Sequence, residues 1–344
     1  MFYLLQFIQQ HYPRHFLTIF LSVMSTSLIF PSHARANSIA IPKTIAITQI
    51  VGHASLDKVR QGIIDELNKN GYQNNKTARI VFENAQGNVV VATQIAQQFV
   101  ALHPDVIVAI ATPSAQAVTH AAKKTNIPIV FATITDPIQA KLVTNLKHPG
   151  GKMTGTRNVS PIDKQLLLIK KILPPVKTIG IVLNYGEPNS VQLLQSVIEN
   201  AKHFNIKVKS AAASTSAEVQ SATNSLMGQI DALLLLQDNT VASALPAVLK
   251  VAQKQKTPVF AIYLEAVQSG ALAGLAFDEY AIGQQTGQII IQILNGKNPG
   301  DIAVTDPINI EFAINLDTAQ KLGLKIDDAL IKKAKHVYPL LGVK

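Results

Sequence analysis

From residue 44 onward, apolar runs of about 5 to 8 residues alternate with amphipathic stretches of about 10 to 16, the signature of strands alternating with helices around a parallel sheet. The runs predict strands at 44–51, 78–84, 106–111, 129–134, 178–184, 207–213, 230–237, 258–263, 272–277 and 310–315. Between them, Leu56 to Asn70 places Val59, Ile63, Ile64 and Leu67 on one face and stops at Gly71, which reads as a helix. Ser190 to Phe204 does the same with Val191, Leu194, Val197, Ile198 and Ala201, and a third helix is expected over 281–295. Aromatic residues are few and tryptophan is absent, so the core is aliphatic, as suits a sheet covered on both faces.

The pattern occurs twice. His103-Pro104-Asp105 leads into VIVAIATPSAQAV as Gln229-Ile230-Asp231 leads into ALLLLQDNTVASA, and a proline precedes both IVFATITDP and VFAIYLEAV. In each half a buried strand runs straight into a short polar turn that opens a helix. Ligands of open α/β sheets sit at that edge, where helix N-termini offer unpaired N–H groups. The expected fold is therefore α/β, with two doubly wound parallel-sheet lobes facing one cleft and joined by a multi-crossing hinge. Turn-forming residues at 149–161, the segment 277–280 and the stretch 307–312 supply three crossings. The expected division is 37–157 plus about 278–306 for the first lobe, and 158–277 plus about 307–344 for the second.

The first 36 residues differ in kind. Arg14 and His15 precede an apolar run from Phe16 to Phe30, and Ala34-Arg35-Ala36 gives the small-residue spacing of a signal-peptidase site. The run is shorter than the about 20 residues of a membrane span. Residues 1–36 are read as a signal peptide cleaved after about Ala36, with an uncleaved anchor as the alternative. Cysteine is absent, which excludes disulfides, a thiolate nucleophile, zinc–cysteine sites and a lipid on an N-terminal cysteine. Free diffusion in a bacterial periplasm fits best. The net charge of +10, or +8 without the leader's two arginines, is spread over helix faces such as Lys123-Lys124 and Lys332-Lys333, so no nucleic-acid partner is expected.

Catalytic signatures are missing: there is no Gly-x-Ser-x-Gly, His-Glu-x-x-His or phosphate-binding glycine loop. Ser55-Leu56-Asp57-Lys58 has a Ser-x-x-Lys spacing without its companion motifs, and Ser55 is read as a helix cap. No pair of metal ligands falls at helical spacing, and neither metal nor cofactor is expected. What remains are short polar side chains at strand ends. Thr112 and Ser114 stand where a carboxylate would meet free helix amides, or they simply cap that helix. Asp136 or Asp238 would accept from an ammonium group, or act as ordinary N-caps. Glu187, Asn189 and Ser190 mirror the turn of the first half, and Tyr263 is either a ring wall for the ligand or plain packing.

Taken together, Ile47-Thr48-Gln49-Ile50 with His53-Ala54-Ser55-Leu56-Asp57, Asn84-Ala85-Gln86-Gly87, Ala111-Thr112-Pro113-Ser114-Ala115-Gln116, Thr135-Asp136-Pro137, Glu187-Pro188-Asn189-Ser190 and Asp238-Asn239-Thr240 resemble the periplasmic substrate-binding proteins of ABC importers, in the branch linked to tryptophan and tyrosine uptake. The likeness spans about Thr44 to Leu324. It implies a periplasmic binding protein-like receptor, not an enzyme, that hands an amino acid to a membrane permease and its cytoplasmic ATPase. By the family pattern the cleft is lined from Gln49, His53, Thr112, Pro113, Ser114, Thr135, Asp136, Glu187, Asn189, Asp238, Asn239 and Asp278. Tyr185-Gly186 and Ile262-Tyr263-Leu264 depart from that pattern, and both fall in the second lobe, where they bear on ligand identity. An aromatic or other hydrophobic α-amino acid and a monomeric protein are expected. The alternative is a ligand-sensing domain that presents a small molecule to a membrane receptor.

Overall fold

The computed structural model describes residues 42–339. The expected leader and its cleavage point lie outside the described residues. The first lobe is built on β1 (Lys43–Gln49), β2 (Ala78–Asn84), β3 (Val106–Ile110), β4 (Ile129–Ile134) and β5 (Met153–Arg157). Helices α1 (Ala54–Lys69), α2 (Val89–Ala101) and α3 (Thr112–Ala121) connect the first four of these strands. The sheet is parallel throughout, in the order β2-β1-β3-β4-β5.

The second lobe repeats that plan. After α4 (Ile162–Ile172) come β6 (Thr178–Leu183), α5 (Pro188–His203), β7 (Lys207–Ala212), α6 (Val219–Leu226) and β8 (Ala232–Leu235). Then follow α7 (Asn239–Ser243), α8 (Leu245–Lys254), β9 (Val259–Ala261), α9 (Leu264–Ser269) and β10 (Ala273–Phe277). Helix α10 (Glu279–Leu294), β11 (Ile310–Asn315) and β12 (His336–Tyr338) follow in turn. The sheet order is β12-β11-β10-β9-β8-β6-β7, so β7-β6-β8-β9-β10 reproduces the first sheet strand for strand. One aspartate performs the same task in each. Asp105 accepts the Thr44 amide at 2.8 Å and Asp231 accepts the Thr178 amide at 2.8 Å, tying the entry of the third strand to the start of the first.

The apolar pattern explains the cores. Val59, Ile63 and Leu67 recur along one face of α1 and are fully buried beneath it, with β1 and β3 contributing Ile45, Ile47, Ile107 and Ile110. Burying each such side chain contributes about 1.5–3 kcal/mol. A second cluster under α4 and α5, including Leu166, Ile169, Leu194 and Val197, packs on Ile179, Ile181 and Leu234. The helices expected at 56–70, 190–204 and 281–295 form, each starting two residues earlier.

Three expectations are corrected. The strand β5 replaces part of a supposed turn: Met-Thr-Gly-Thr-Arg looks like loop, yet Thr154 donates to the Ile302 carbonyl at 2.7 Å and Thr156 pairs with Thr286 at 2.9 Å, which makes these polar residues buriable. The second sheet is not wholly parallel, because β11 runs antiparallel to β10. The chain leaves β10 at its cleft end for α10, whose Ile289, Ile290 and Ile293 join the first-lobe core, and re-enters the second sheet from the same side. A strand that starts where its neighbour ended must run the other way. Finally, the runs at 230–237 and 258–263 shorten to Ala232–Leu235 and Val259–Ala261, which releases Gln237, Asp238 and Tyr263 from the sheet into the cleft edge.

Candidate functional site

In an open sheet of this order the crevice lies at the carboxyl ends of the two strands where the winding reverses. Here these are β1 and β3 in one lobe, and β6 and β8 in the other. The four ends converge on a narrow cavity between the lobes. From the first lobe it is lined by His53, Ser55, Leu56, Ala111, Thr112, Thr133 and Thr135, and from the second by Asn189, Gln237, Asp238, Asn239, Ala242 and Tyr263, with Glu279 from the crossing.

The first-lobe wall is built from strained backbone. Ala111, the N-cap of α3, stands at φ 73° and ψ 157° and offers no side-chain cap. Thr133 at the end of β4 stands at φ 56°, a left-handed conformation that is costly for a β-branched residue. Strain of this kind costs on the order of 1–3 kcal/mol per residue and collects where a site must be held in shape. The amides of Thr112 and Ser114, in the first turn of α3, have no partner within the helix and no side-chain cap.

The second-lobe wall is a hydrogen-bonded lattice. Glu187 accepts from the Asn239 amide at 3.1 Å, the Asn239 side chain at 2.5 Å, the Thr240 amide at 2.9 Å and the Thr240 hydroxyl at 2.8 Å. Asp238 accepts the Asn184 amide at 2.6 Å and caps α7 through the Val241 amide at 2.8 Å. Burial and the nearby Glu187 carboxylate push its acid up, against those backbone bonds. Asn189 donates to the Gln237 carbonyl at 2.9 Å, which leaves its Oδ1 buried without a partner. The Tyr263 hydroxyl is likewise buried and unpartnered, and burial raises its pKa. Thus two orphaned polar atoms belong to residues that line the same cavity.

At the crossing, Glu279 is 3 % exposed and accepts from Thr133 Oγ1 at 3.1 Å and Asn158 Nδ2 at 2.8 Å. Burial, with Glu265 nearby, pushes its acid up to about 8. Burial holds the His53 imidazole below its usual value, and its Nε2 lies 3.5 Å from Asn239 Oδ1 across the cleft.

Of the residues marked in the sequence, His53, Thr112, Thr135, Asn189, Asp238, Asn239 and Tyr263 line the cavity. Gln49 sits behind the wall, donating to the Val51 carbonyl and Asp57 and accepting from Arg60 at 2.8 Å. Asp136 caps the turn at Ile138 and Gln139 and accepts from Gln192 of the opposite lobe at 3.2 Å. Asp278 caps α10 through the Tyr280 amide. Pro113 and Glu187 face a wider outer groove that shares Asn239 with the inner cavity, and Ser114 lies buried on α3 with its hydroxyl unpartnered. Ser55 is no cap: His53 holds that position, and the Ser55 hydroxyl donates to Glu265 at 2.8 Å. Sequence reading missed Glu279, Thr133 and Gln237. Glu279 follows the marked Asp278 directly, and a carboxylate at the first position of a helix reads as a solvated dipole partner until the crossing places it in the cleft.

The family model for ABC transporter substrate binding proteins matches residues 44–338. The chain belongs to this family. It is 41% identical over 283 residues to a tyrosine-binding protein of Clostridioides difficile strain R20291, covering 82% of this chain and 81% of that one. It is similar to a solved structure from Streptococcus pneumonia in complex with L-Trp, with 34% identity, a TM-score of 0.83, and coverage of 86% of this chain and 100% of the other. The ligand-free, open structure of a substrate binding protein with adhesive properties from Clostridium difficile has 36% identity, a TM-score of 0.64, and coverage of 86% and 99%. At near-equal identity, the lobes of this binding protein are therefore arranged more like those of the ligand-bound relative than those of the open one.

Proposed function

We propose that this binding protein captures an aromatic α-amino acid, tyrosine or tryptophan, in the cavity between its lobes and delivers it to an ABC permease. The observation that carries the reading is the mixed lining of the cavity. It combines strained backbone, uncapped helix amides and buried acids, suited to a zwitterionic head group. It also has Tyr263, Ala242 and Asn189 with its orphaned oxygen, suited to a ring with a polar edge. The relatives named for tyrosine and solved with L-Trp support the same ligand class.

In this reading the carboxylate meets the α3 amides, residues 37–157 with 278–306 move as one lobe, and the remainder moves as the other. The protein acts as a monomer, exported by a leader cleaved after about Ala36, and works in the periplasm without a lipid anchor. Ligand contact with both lobes favours the closed form, which is the form a permease would recognise. The family is one of carriers, and the site is read as binding without turnover. The test is to add each of the twenty amino acids to the purified mature protein and follow its melting temperature. Tyrosine, tryptophan or both raise it by several degrees in saturating ligand. No response to any amino acid would remove this ligand class.

A further inference from the structure

Acids line the cavity, but neither lysine nor arginine does. One of those acids, Glu279, stands apart from the rest. It opens α10 at the point where the chain crosses from the second lobe into the first, and its two oxygens are each held by one neutral side-chain donor, Thr133 and Asn158. Asp238 is committed differently, since both of its oxygens already accept backbone amides that fix α7 and the β6 turn. Among the described residues no cation pairs with Glu279, whereas the nearby Glu265 has Lys58 at 3.1 Å. The groups around it are Glu265 on α9, Asp278 beside it on the crossing, Asp238 in the same cavity lining and His53 at the N-cap of α1, its pKa lowered by burial. A buried acid with no counter-charge stays neutral or finds a cation. Independently, Asn189 and Tyr263 both line this cavity and each carries a buried polar atom without a partner, which points to a site built around a polar guest that is not part of the chain.

We propose that Glu279 anchors the ammonium group of the ligand and releases its own proton when that group arrives. The inference rests on the amine-bearing ligand class proposed above. The empty cleft holds Glu279 as the neutral acid. The incoming ammonium replaces the proton as the partner of the carboxylate, the O–H bond breaks, and the proton passes to solvent, so that the carboxylate–ammonium pair carries no net charge in the closed cavity. Because Glu279 sits at the start of α10, the same contact ties the head group of the ligand to the crossing about which the lobes close.

Calorimetric titration of the wild type and Glu279→Gln with L-tyrosine, tyramine and 3-(4-hydroxyphenyl)propionate, each in a phosphate and a Tris buffer near pH 7, tests this. Comparing buffers of different ionisation heat reads the protons exchanged. The wild type releases close to one proton per L-tyrosine or tyramine at about pH 7, and the release fades as the pH rises through about 8. Glu279→Gln abolishes that release and weakens both amines by about 100-fold, while the deaminated acid changes by less than about threefold. Wild-type binding of L-tyrosine without proton release, or full affinity in Glu279→Gln, overturns the anchor and leaves the amino-acid reading standing. Binding of tyramine with proton release but no binding of L-tyrosine keeps the anchor and removes the α-amino-acid reading. Absence of proton release by the wild type overturns the anchor even if the variant fails to fold.

Discussion

Glu279 makes the empty protein sensitive to pH in a direction opposite to that of an ordinary salt-bridged acid. Its folded value, about 8, lies above the ordinary glutamate value of 4.5, so the folded state binds the proton more tightly than the unfolded chain does. Stability is therefore fully present below about pH 4.5, falls as pH rises toward 8, and then levels off. Asp238, also raised, adds to the same slope. Denaturant midpoints of the ligand-free protein should fall across that window, and Glu279→Gln should remove part of the fall; a flat wild-type profile contradicts the buried neutral acid. Tyr263 gives a second residue-level prediction. Its unpartnered hydroxyl costs desolvation without return in the empty cleft, so Tyr263→Phe should leave the ligand-free protein as stable or more stable by up to about 1 kcal/mol, and weaken ligand binding. Equal affinity in the variant would show that the hydroxyl never meets the ligand. The sequence marked Tyr263 because it is an aromatic ring at the end of a predicted strand. It could not mark Thr133, whose role comes from a backbone angle of φ 56° that no residue pattern encodes.

At the scale of elements, α10 positions Glu279 by packing unusually close to α1, which carries Ser55 and is capped at His53. A Cβ placed on Gly283 would stand 2.1 Å from the Val59 carbonyl oxygen, and one on Gly62 would stand 2.2 Å from that of Tyr280. The two backbones touch because neither residue has a side chain. Gly283→Ala must push the helices apart, and should cost about 1–3 kcal/mol in chemical denaturation while loosening ligand affinity. A variant as stable and as tight-binding as wild type would contradict this coupling. Helix α10 was legible in the sequence as an amphipathic stretch, and its glycines were not, since only the tertiary contact gives them meaning. The strands that were visible are those buried on both faces, such as VIVAI in β3, whereas β5 was hidden because its burial rests on hydroxyl pairs at Thr154 and Thr156. Marked residues such as Gln49 and Asp278 support the wall from behind, because polarity at a strand end does not say which way a side chain turns.

For the whole molecule, the closed arrangement is held by contacts that bridge the lobes. Lys58 pairs with Glu265 at 3.1 Å, Ser55 donates to the same carboxylate at 2.8 Å, and Gln192 donates to Asp136 at 3.2 Å. Lys58→Met removes the counter-charge of a buried acid and touches no cavity wall. It should lower apparent affinity roughly five- to tenfold by reducing the closed fraction, with the proton release on binding unchanged. Unaltered affinity would mean that this bridge is not part of closure. The central claim is that an aromatic amino acid sits between the lobes with its ammonium at Glu279 and its carboxylate at the start of α3. A crystal structure of the mature protein grown with L-tyrosine tests it most directly. The account predicts density for one tyrosine enclosed by both lobes, its nitrogen in hydrogen-bond contact with the Glu279 carboxylate and its carboxylate on the Thr112 and Ser114 amides. Tyrosine bound elsewhere, or a filled cleft with Glu279 turned away from the ligand, would contradict it.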